Sequence, residues 1–190
     1  MADVNELLTR LAALELEQAR HRDLWAIHDL LTRYSRALDW LDAPMLEAVF
    51  YDDADIDYGF FKGSGRDFKP LLMSIERAAG RRWHFTAQLA IDLQGEVAHV
   101  DSYNLSVATE AASSLPPAEL GHFYGYYQDR LLKRDGRWGI IARRHLLVGA
   151  ESLREVPPEG ALSTLNTIGY AAPDHACFRR LGDATPLKSA

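Results

Sequence analysis

The chain has 190 residues, 47% of them hydrophobic and 25% charged, with a formal net charge of −6. That length and balance fit one globular domain with a sizeable core and exclude a fibrous or disordered chain. The acidic charge argues against a nucleic-acid ligand, because the pairs Arg81-Arg82, Arg143-Arg144 and Arg179-Arg180 are scattered rather than gathered into a basic face.

Cys177 is the sole cysteine, so an intrachain disulfide or a thiolate metal cluster is not expected. The opening MADVNELLTR lacks the apolar centre of a signal peptide, and no apolar run approaches the roughly 20 residues that span a bilayer. The expectation is a cytoplasmic protein with no membrane partner.

Leu7, Leu8, Leu11 and Leu14 form a helical stripe, taken as an amino-terminal helical extension over residues 1–20. HRDLWAIHDLLTRYSRALDWLD repeats the signal, with Leu24, Ile27, His28, Leu31, Ser35 and Leu38 on one side. Trp25, Leu30 and Tyr34 widen that side, which predicts burial on more than one flank. Asp42 suits an N-cap and Pro44 a first turn, opening a short helix over PMLEAVFY. ADIDYGFF alternates Ile56, Tyr58 and Phe60 with smaller or acidic residues and predicts a strand. GSGR ends it, and RDFKPLLMSIERAAG returns to helical spacing with Pro70 placed in the first turn.

The rest reads as sheet. WHFTAQLAIDL meets EVAHVDSYNLSVATE across Gln94-Gly95, and GHFYGYYQDRLLKR meets RWGIIARRHLLVGA across Asp135-Gly136, a type I′ hairpin signal. AASSLPPAEL between them is a polar, proline-bearing loop, and residues 153–190 lose all periodicity and are expected as an extended tail. Helices, a strand, a helix and four long antiparallel strands predict an α+β domain over 21–152, a strongly curved sheet wrapped around helices.

Two residues are out of place as plain packing. Asp39 closes the long helix on its apolar side, where the helix dipole and burial both disfavour a carboxylate without a partner. His84 begins a strand between Trp83 and Phe85. A turn cap and a satisfied core histidine are the bland readings; a proton-transfer pair is the functional one. Centring the last hairpin on Asp135-Gly136 sets Tyr127 opposite Arg144, Asp129 opposite Ala142 and Gly125 opposite Leu146. Phe123, Gly125, Tyr127, Asp129 and Arg144 then share a face, with Asp129 and Arg144 as a diagonal pair. A slip of one residue turns Tyr124, Tyr126 and His145 inward instead. No HExxH or clustered His and carboxylate set points to a metal, GSGR lacks the lysine of a phosphate loop, and no GxSxG elbow occurs.

AIHDLLTRYSRALDWLDAPMLEAVFYDDADIDYG resembles the opening of SnoaL-like proteins, in the broad ketosteroid-isomerase-like, nuclear-transport-factor-like superfamily. WHFTAQLAIDLQGEVAHVDSY resembles its central hairpin, and GYYQDRLLKRDGRWGIIARR its closing one. The resemblance covers roughly residues 20–150 and implies a cone-shaped α+β barrel. Asp39 and His84 stand where the scytalone-dehydratase-like subset carries an Asp–His pair, and Tyr58 where that subset has a substrate-contacting tyrosine. Asn104 stands where scytalone dehydratase has a second histidine, and Gly125 and Tyr127 where it has serine and asparagine. Arg144 lies near a pocket arginine of some members. Trp83 and Asp129 complete the expected substrate-binding set.

What this implies is a lyase without a cofactor or a metal. His84 removes a proton from carbon, Asp39 steadies the imidazolium, and Tyr58 or Tyr127 donates to a departing hydroxyl or developing oxyanion. The aromatic residues Trp83, Phe85, Tyr58 and Tyr127 favour a flat, hydrophobic or aromatic small-molecule substrate. Loss of water leads. Loss of formaldehyde from a lignin-derived diaryl diol, double-bond isomerisation and a non-catalytic binding module stand behind it. The resemblance also implies a homotrimer or homodimer, joined through an outer sheet face bearing Tyr103, Leu105 and Val107.

Overall fold

The computed structural model describes residues 3–79, 82–109 and 120–153. A helix α1 (Val4–Asp39) and a single-turn helix α2 (Ala43–Glu47) lead into strand β1 (Phe50–Asp57). A short β2 (Lys62–Ser64) and helix α3 (Gly65–Ala78) follow, then β3 (Arg82–Gln94), β4 (Val97–Thr109), β5 (Leu120–Arg134) and β6 (Arg137–Leu153). The six strands form one sheet in the order β2-β1-β6-β5-β4-β3, with β1 parallel to β6 and every other neighbour antiparallel. This is the expected α+β architecture, a curved sheet around helices, left unclosed because β2 and β3 are both edges.

The stripe over residues 5–20 and the one after it are halves of the same helix α1. Leu7, Leu8, Leu11 and Leu14 stay exposed, whereas Ile27, Leu30, Leu31, Tyr34, Ala37 and Leu38 are buried. Most of the face predicted from Leu24 onward therefore enters the core, against Phe50, Ile56, Phe68, Val100, Leu131 and Ile140, but Trp25, 71% exposed, and His28 stay outside it. Asp23 fastens α1 to the last hairpin: its Oδ1 accepts from Lys133 Nζ at 2.7 Å and from Trp138 Nε1 at 2.9 Å.

Several boundaries differ from the sequence reading. Helix α2 stops at Glu47 and β1 already begins at Phe50, so the predicted helix over PMLEAVFY is cut short. Asp42 does cap α2, accepting from Met45 N at 2.9 Å. Tyr58 and Phe60 lie beyond the end of β1 rather than within it. Pro70 sits inside α3, past the first turn, while Ser64 caps that helix by accepting from Asp67 N. The predicted loop over 111–120 and the predicted tail fall outside the described residues, apart from Leu120, which begins β5, and Leu153, which ends β6.

The last hairpin turns at Asp135-Gly136 with φ of 50° and 76°, the two positive values a type I′ turn needs. Its first four pairs, Arg134↔Arg137 to Leu131↔Ile140, follow the expected register. A bulge at Ile141 then shifts every later pair by one: Arg130 faces Ala142, Asp129 faces Arg143 and Tyr127 faces His145. A second irregularity next to Gly125 shifts the register again. There a Cβ on Gly125 would lie 1.9 Å from the Leu146 carbonyl oxygen, so the close approach of β6 demands glycine.

Candidate active site

Asp39 and His84 meet. The Asp39 Oδ1 lies 2.8 Å from His84 Nδ1, and its Oδ2 accepts from the His84 backbone N–H at 3.2 Å. Helix and strand periodicity explain the match. Ser35 lies four residues before Asp39 on the same helix face, Thr86 lies two residues after His84 on the same strand face, and their hydroxyls are 3.1 Å apart. Two rungs thus fix α1 against β3. The carboxylate holds Nδ1 protonated, which leaves the lone pair on Nε2.

Nε2 faces a third group, Glu76 of α3, whose Oε1 lies 3.5 Å away. The His84 side chain is only 7% exposed and that of Glu76 8%. Burial raises the Glu76 carboxyl above its ordinary range, with Asp39 adding to the effect while His84 and Arg82 oppose it. Asp39 ends α1 and Glu76 lies in the last turn of α3, so both carboxylates stand at the negative ends of helices. Arg82 answers those ends, donating from Nε to the Asp39 carbonyl at 3.2 Å and from Nη1 to the Ala79 carbonyl at 3.1 Å. Glu76 went unnoticed in the sequence. Its signal was there: Phe68, Leu72 and Glu76 recur at four-residue steps, which puts a carboxylate on the apolar face of a helix.

A phenol cluster lies deeper. The Tyr34 hydroxyl is 2.7 Å from that of Tyr58 and 3.5 Å from that of Tyr127. Burial pushes all three phenols up, so they remain protonated and can donate. The Tyr58 ring stacks on His145 with centroids 5.1 Å apart. Burial and the nearby Arg143 push the His145 imidazole down, favouring its neutral form.

Beneath the phenols Arg143 forks onto Asp129, Nε to Oδ1 and Nη2 to Oδ2, both at 2.6 Å and both side chains with no exposure. The guanidinium carbon lies 4.2 Å from the ring centres of Tyr34 and of Tyr127. Burial works against its charge, but Asp129, with Tyr58 and Tyr34, holds the guanidinium well above the ordinary arginine range. Burial pushes Asp129 up and the guanidinium pulls it back; the short fork identifies the pair as ionic. Asn104, on β4 beside Gly125, is buried with neither amide atom hydrogen-bonded, and neither Ser102 Oγ nor Arg143 Nη1 has a partner among the described residues.

The expected residues therefore divide. His84, Asp39, Tyr58, Tyr127, Asn104 and Asp129 all point inward, whereas Arg144 and Trp83 do not. Arg144 is exposed because the Ile141 bulge hands its inward place to Arg143, and Asp129 pairs with Arg143 accordingly. Trp83, 49% exposed, stacks on Phe85 on the outer face, as strand alternation requires once His84 points in.

Residues 19–144 match the SnoaL-like domain family. A proposed scytalone dehydratase from Novosphingobium aromaticivorans is 25% identical, with a TM-score of 0.63 over 73% of this chain and 93% of its own. A hexachlorocyclohexane dehydrochlorinase, LinA type 3 from Novosphingobium barchaimii, is 17% identical, with a TM-score of 0.66 over 75% of this chain and 99% of its own. The Kfla4162 protein from Kribbella flavida is 14% identical, with a TM-score of 0.64 over 70% and 95%. No curated protein matches the sequence. Among the described residues no helix is long and apolar enough to cross a membrane. The family match spans most of the chain, and the chain belongs to the SnoaL-like domain family.

Proposed function

We propose that this protein is a cytoplasmic, cofactor-independent lyase in which His84 is the general base and Asp39 its orienting partner. The observation that carries the reading is the two-point grip of Asp39 on His84, through Nδ1 at 2.8 Å and the backbone N–H at 3.2 Å. Such a grip fixes one tautomer, aims Nε2 inward and stabilises the imidazolium once a proton is taken. Two related folds carry the names dehydratase and dehydrochlorinase, both eliminations that begin with a C–H proton.

Tyr58 is the phenol placed to donate to an oxygen of the substrate, since Tyr34 links it to Tyr127 and His145 supports its ring. The unpaired amide of Asn104 is a further polar contact for the substrate. Arg143, replacing Arg144 in this role, holds the floor of the site with Asp129. The chemistry of these side chains suits a flat, largely apolar molecule with one or two oxygens. Loss of water is the leading reaction. Formaldehyde loss from a diaryl diol and double-bond isomerisation use the same base.

On the outer face Trp83, Phe85, Tyr103, Tyr126 and Leu146 are all exposed, and we assign this patch to self-association as a homotrimer or homodimer. The function is tested by incubating the wild type, His84→Gln and Asp39→Asn with β-hydroxy aryl ketones and with a lignin-type diaryl diol, following products by mass spectrometry. The wild type is expected to convert a member of the panel, and each variant to lose about 10²–10⁴-fold in rate. Equal ligand binding by all three proteins with no conversion would make the protein a binding module.

A further inference from the structure

Among the described residues, Glu76 is the one buried acid that the His84–Asp39 reading leaves unused. It is 6% exposed, its Oε1 lies 3.5 Å from His84 Nε2, and its Oε2 is buried with no hydrogen-bond partner among the described residues. With Nδ1–H engaged by Asp39, Nε2 presents a lone pair. An ionised carboxylate held against that lone pair in a buried setting is repelled by it, and by Asp39 on the other side of the ring. One proton between Glu76 and Nε2 removes both conflicts. The charged groups around Glu76 are Asp39 from α1, and His84 and Arg82 from β3.

We propose that Glu76 is the general acid of the reaction, supplying the proton that a departing hydroxyl carries away, so that the substrate is an alcohol rather than a halide. This rests on His84 as the base. The proton count closes within the site. His84 Nε2 takes the proton from carbon, and the C–H electron pair becomes the new double bond. The C–O bond breaks with its electrons on oxygen, and the Glu76 carboxyl proton converts the departing hydroxide into water. His84 then returns its proton from Nε2 across the 3.5 Å gap to the Glu76 carboxylate. Both groups are back in their starting states, with alkene and water as products. A halide leaves as a stable anion and needs no such proton; a hydroxide at neutral pH does.

Glu76→Gln is the variant of choice, because an amide matches the protonated carboxyl in size and hydrogen-bonding capacity. The first readout needs no substrate: the infrared spectrum of the full chain at pH 7, with ¹³C-labelled glutamate to identify the band. A protonated-carboxyl stretch present in the wild type and absent from Glu76→Gln is expected; its absence from the wild type would overturn the proposal. The second readout is leaving-group dependence, with a β-hydroxy aryl ketone and its β-chloro counterpart as probes. Glu76→Gln should lose about 10²–10⁴-fold on the hydroxyl probe while changing little on the chloride. An equal loss on both would show a structural role and overturn the proposal. His84→Gln is expected to lose both rates. If it keeps both, the base reading fails, and the leaving-group split of Glu76→Gln still decides the role of the acid. If the wild type turns over neither probe, the infrared band decides alone.

Discussion

Asp129→Asn takes the negative charge from beneath Arg143 and leaves a fully buried guanidinium without its counter-ion. The wild-type pair makes two 2.6 Å bonds, both side chains have no exposure, and Nη1 already lacks a partner among the described residues. Neither side chain touches solvent to compensate the unpaired charge, and the loss belongs to the range for broken buried pairs, about 3–5 kcal/mol. Arg143→Met strands the carboxylate instead and also removes the cation from between the Tyr34 and Tyr127 rings, so it should cost about as much. The double variant Asp129→Leu, Arg143→Met strands nothing and should recover most of the loss. For a chain of this size each single change corresponds to a fall of about 6–20 °C in Tm. Urea and thermal unfolding of the four proteins measure the coupling directly. Single variants within about 1 kcal/mol of wild type, or a double variant as unstable as the sum of the singles, would refute the buried-pair reasoning.

Tyr58→Phe should lower kcat with little change in KM if its hydroxyl donates mainly as charge develops, by about 10–100-fold; a change confined to KM would make it a ground-state contact. Burial raises Glu76 above 4.5, so the folded chain binds more protons than the unfolded one just above that pH, and the stability it contributes is lost as pH rises through the folded value. Thermal melts from acid to neutral pH should therefore show Glu76→Gln gaining on the wild type as pH rises; a pH-independent difference contradicts this. His145 has the opposite sign. Its folded value lies below 6.5, so its contribution is full above that pH and lost as pH falls through the folded value, and His145→Gln should flatten the acid limb of the same curve. Replacing Tyr103 by Arg places a charge in the outer apolar patch and should shift the sedimentation coefficient to that of a smaller species, with elimination rate per chain retained or reduced; an unchanged assembly removes the patch as the interface.

Much of this site is legible in the sequence because two periodicities cross. Asp39 on the apolar side of a helix end and His84 at an inward strand position each signal a missing partner, and Ser35 and Thr86 repeat the pairing one step away. The same period of two should have kept Trp83 out of the site, since neighbours on a strand take opposite faces. Arg143 is illegible for a different reason. Counting back from the Asp135-Gly136 turn gives the right pairs only as far as Ile140, and the single extra residue at Ile141 carries no sequence mark of its own. Glu76 sits between these cases: its helical spacing is visible, but its approach to Nε2 depends on how α3 lies against β3. The phenol cluster likewise joins Tyr34 of α1, Tyr58 beyond β1 and Tyr127 of β5, three segments that only the curvature of the sheet brings together.

The most direct test of His84 as a base watches the proton alone. An aryl ketone with exchangeable hydrogens and no leaving group is incubated in D2O with the wild type, His84→Gln and Asp39→Asn, and deuterium uptake at carbon is followed by NMR. The wild type is predicted to speed uptake well above the buffer rate, His84→Gln to fall back to the buffer rate, and Asp39→Asn to lie between them. Equal uptake with the wild type and His84→Gln would contradict base catalysis by this histidine.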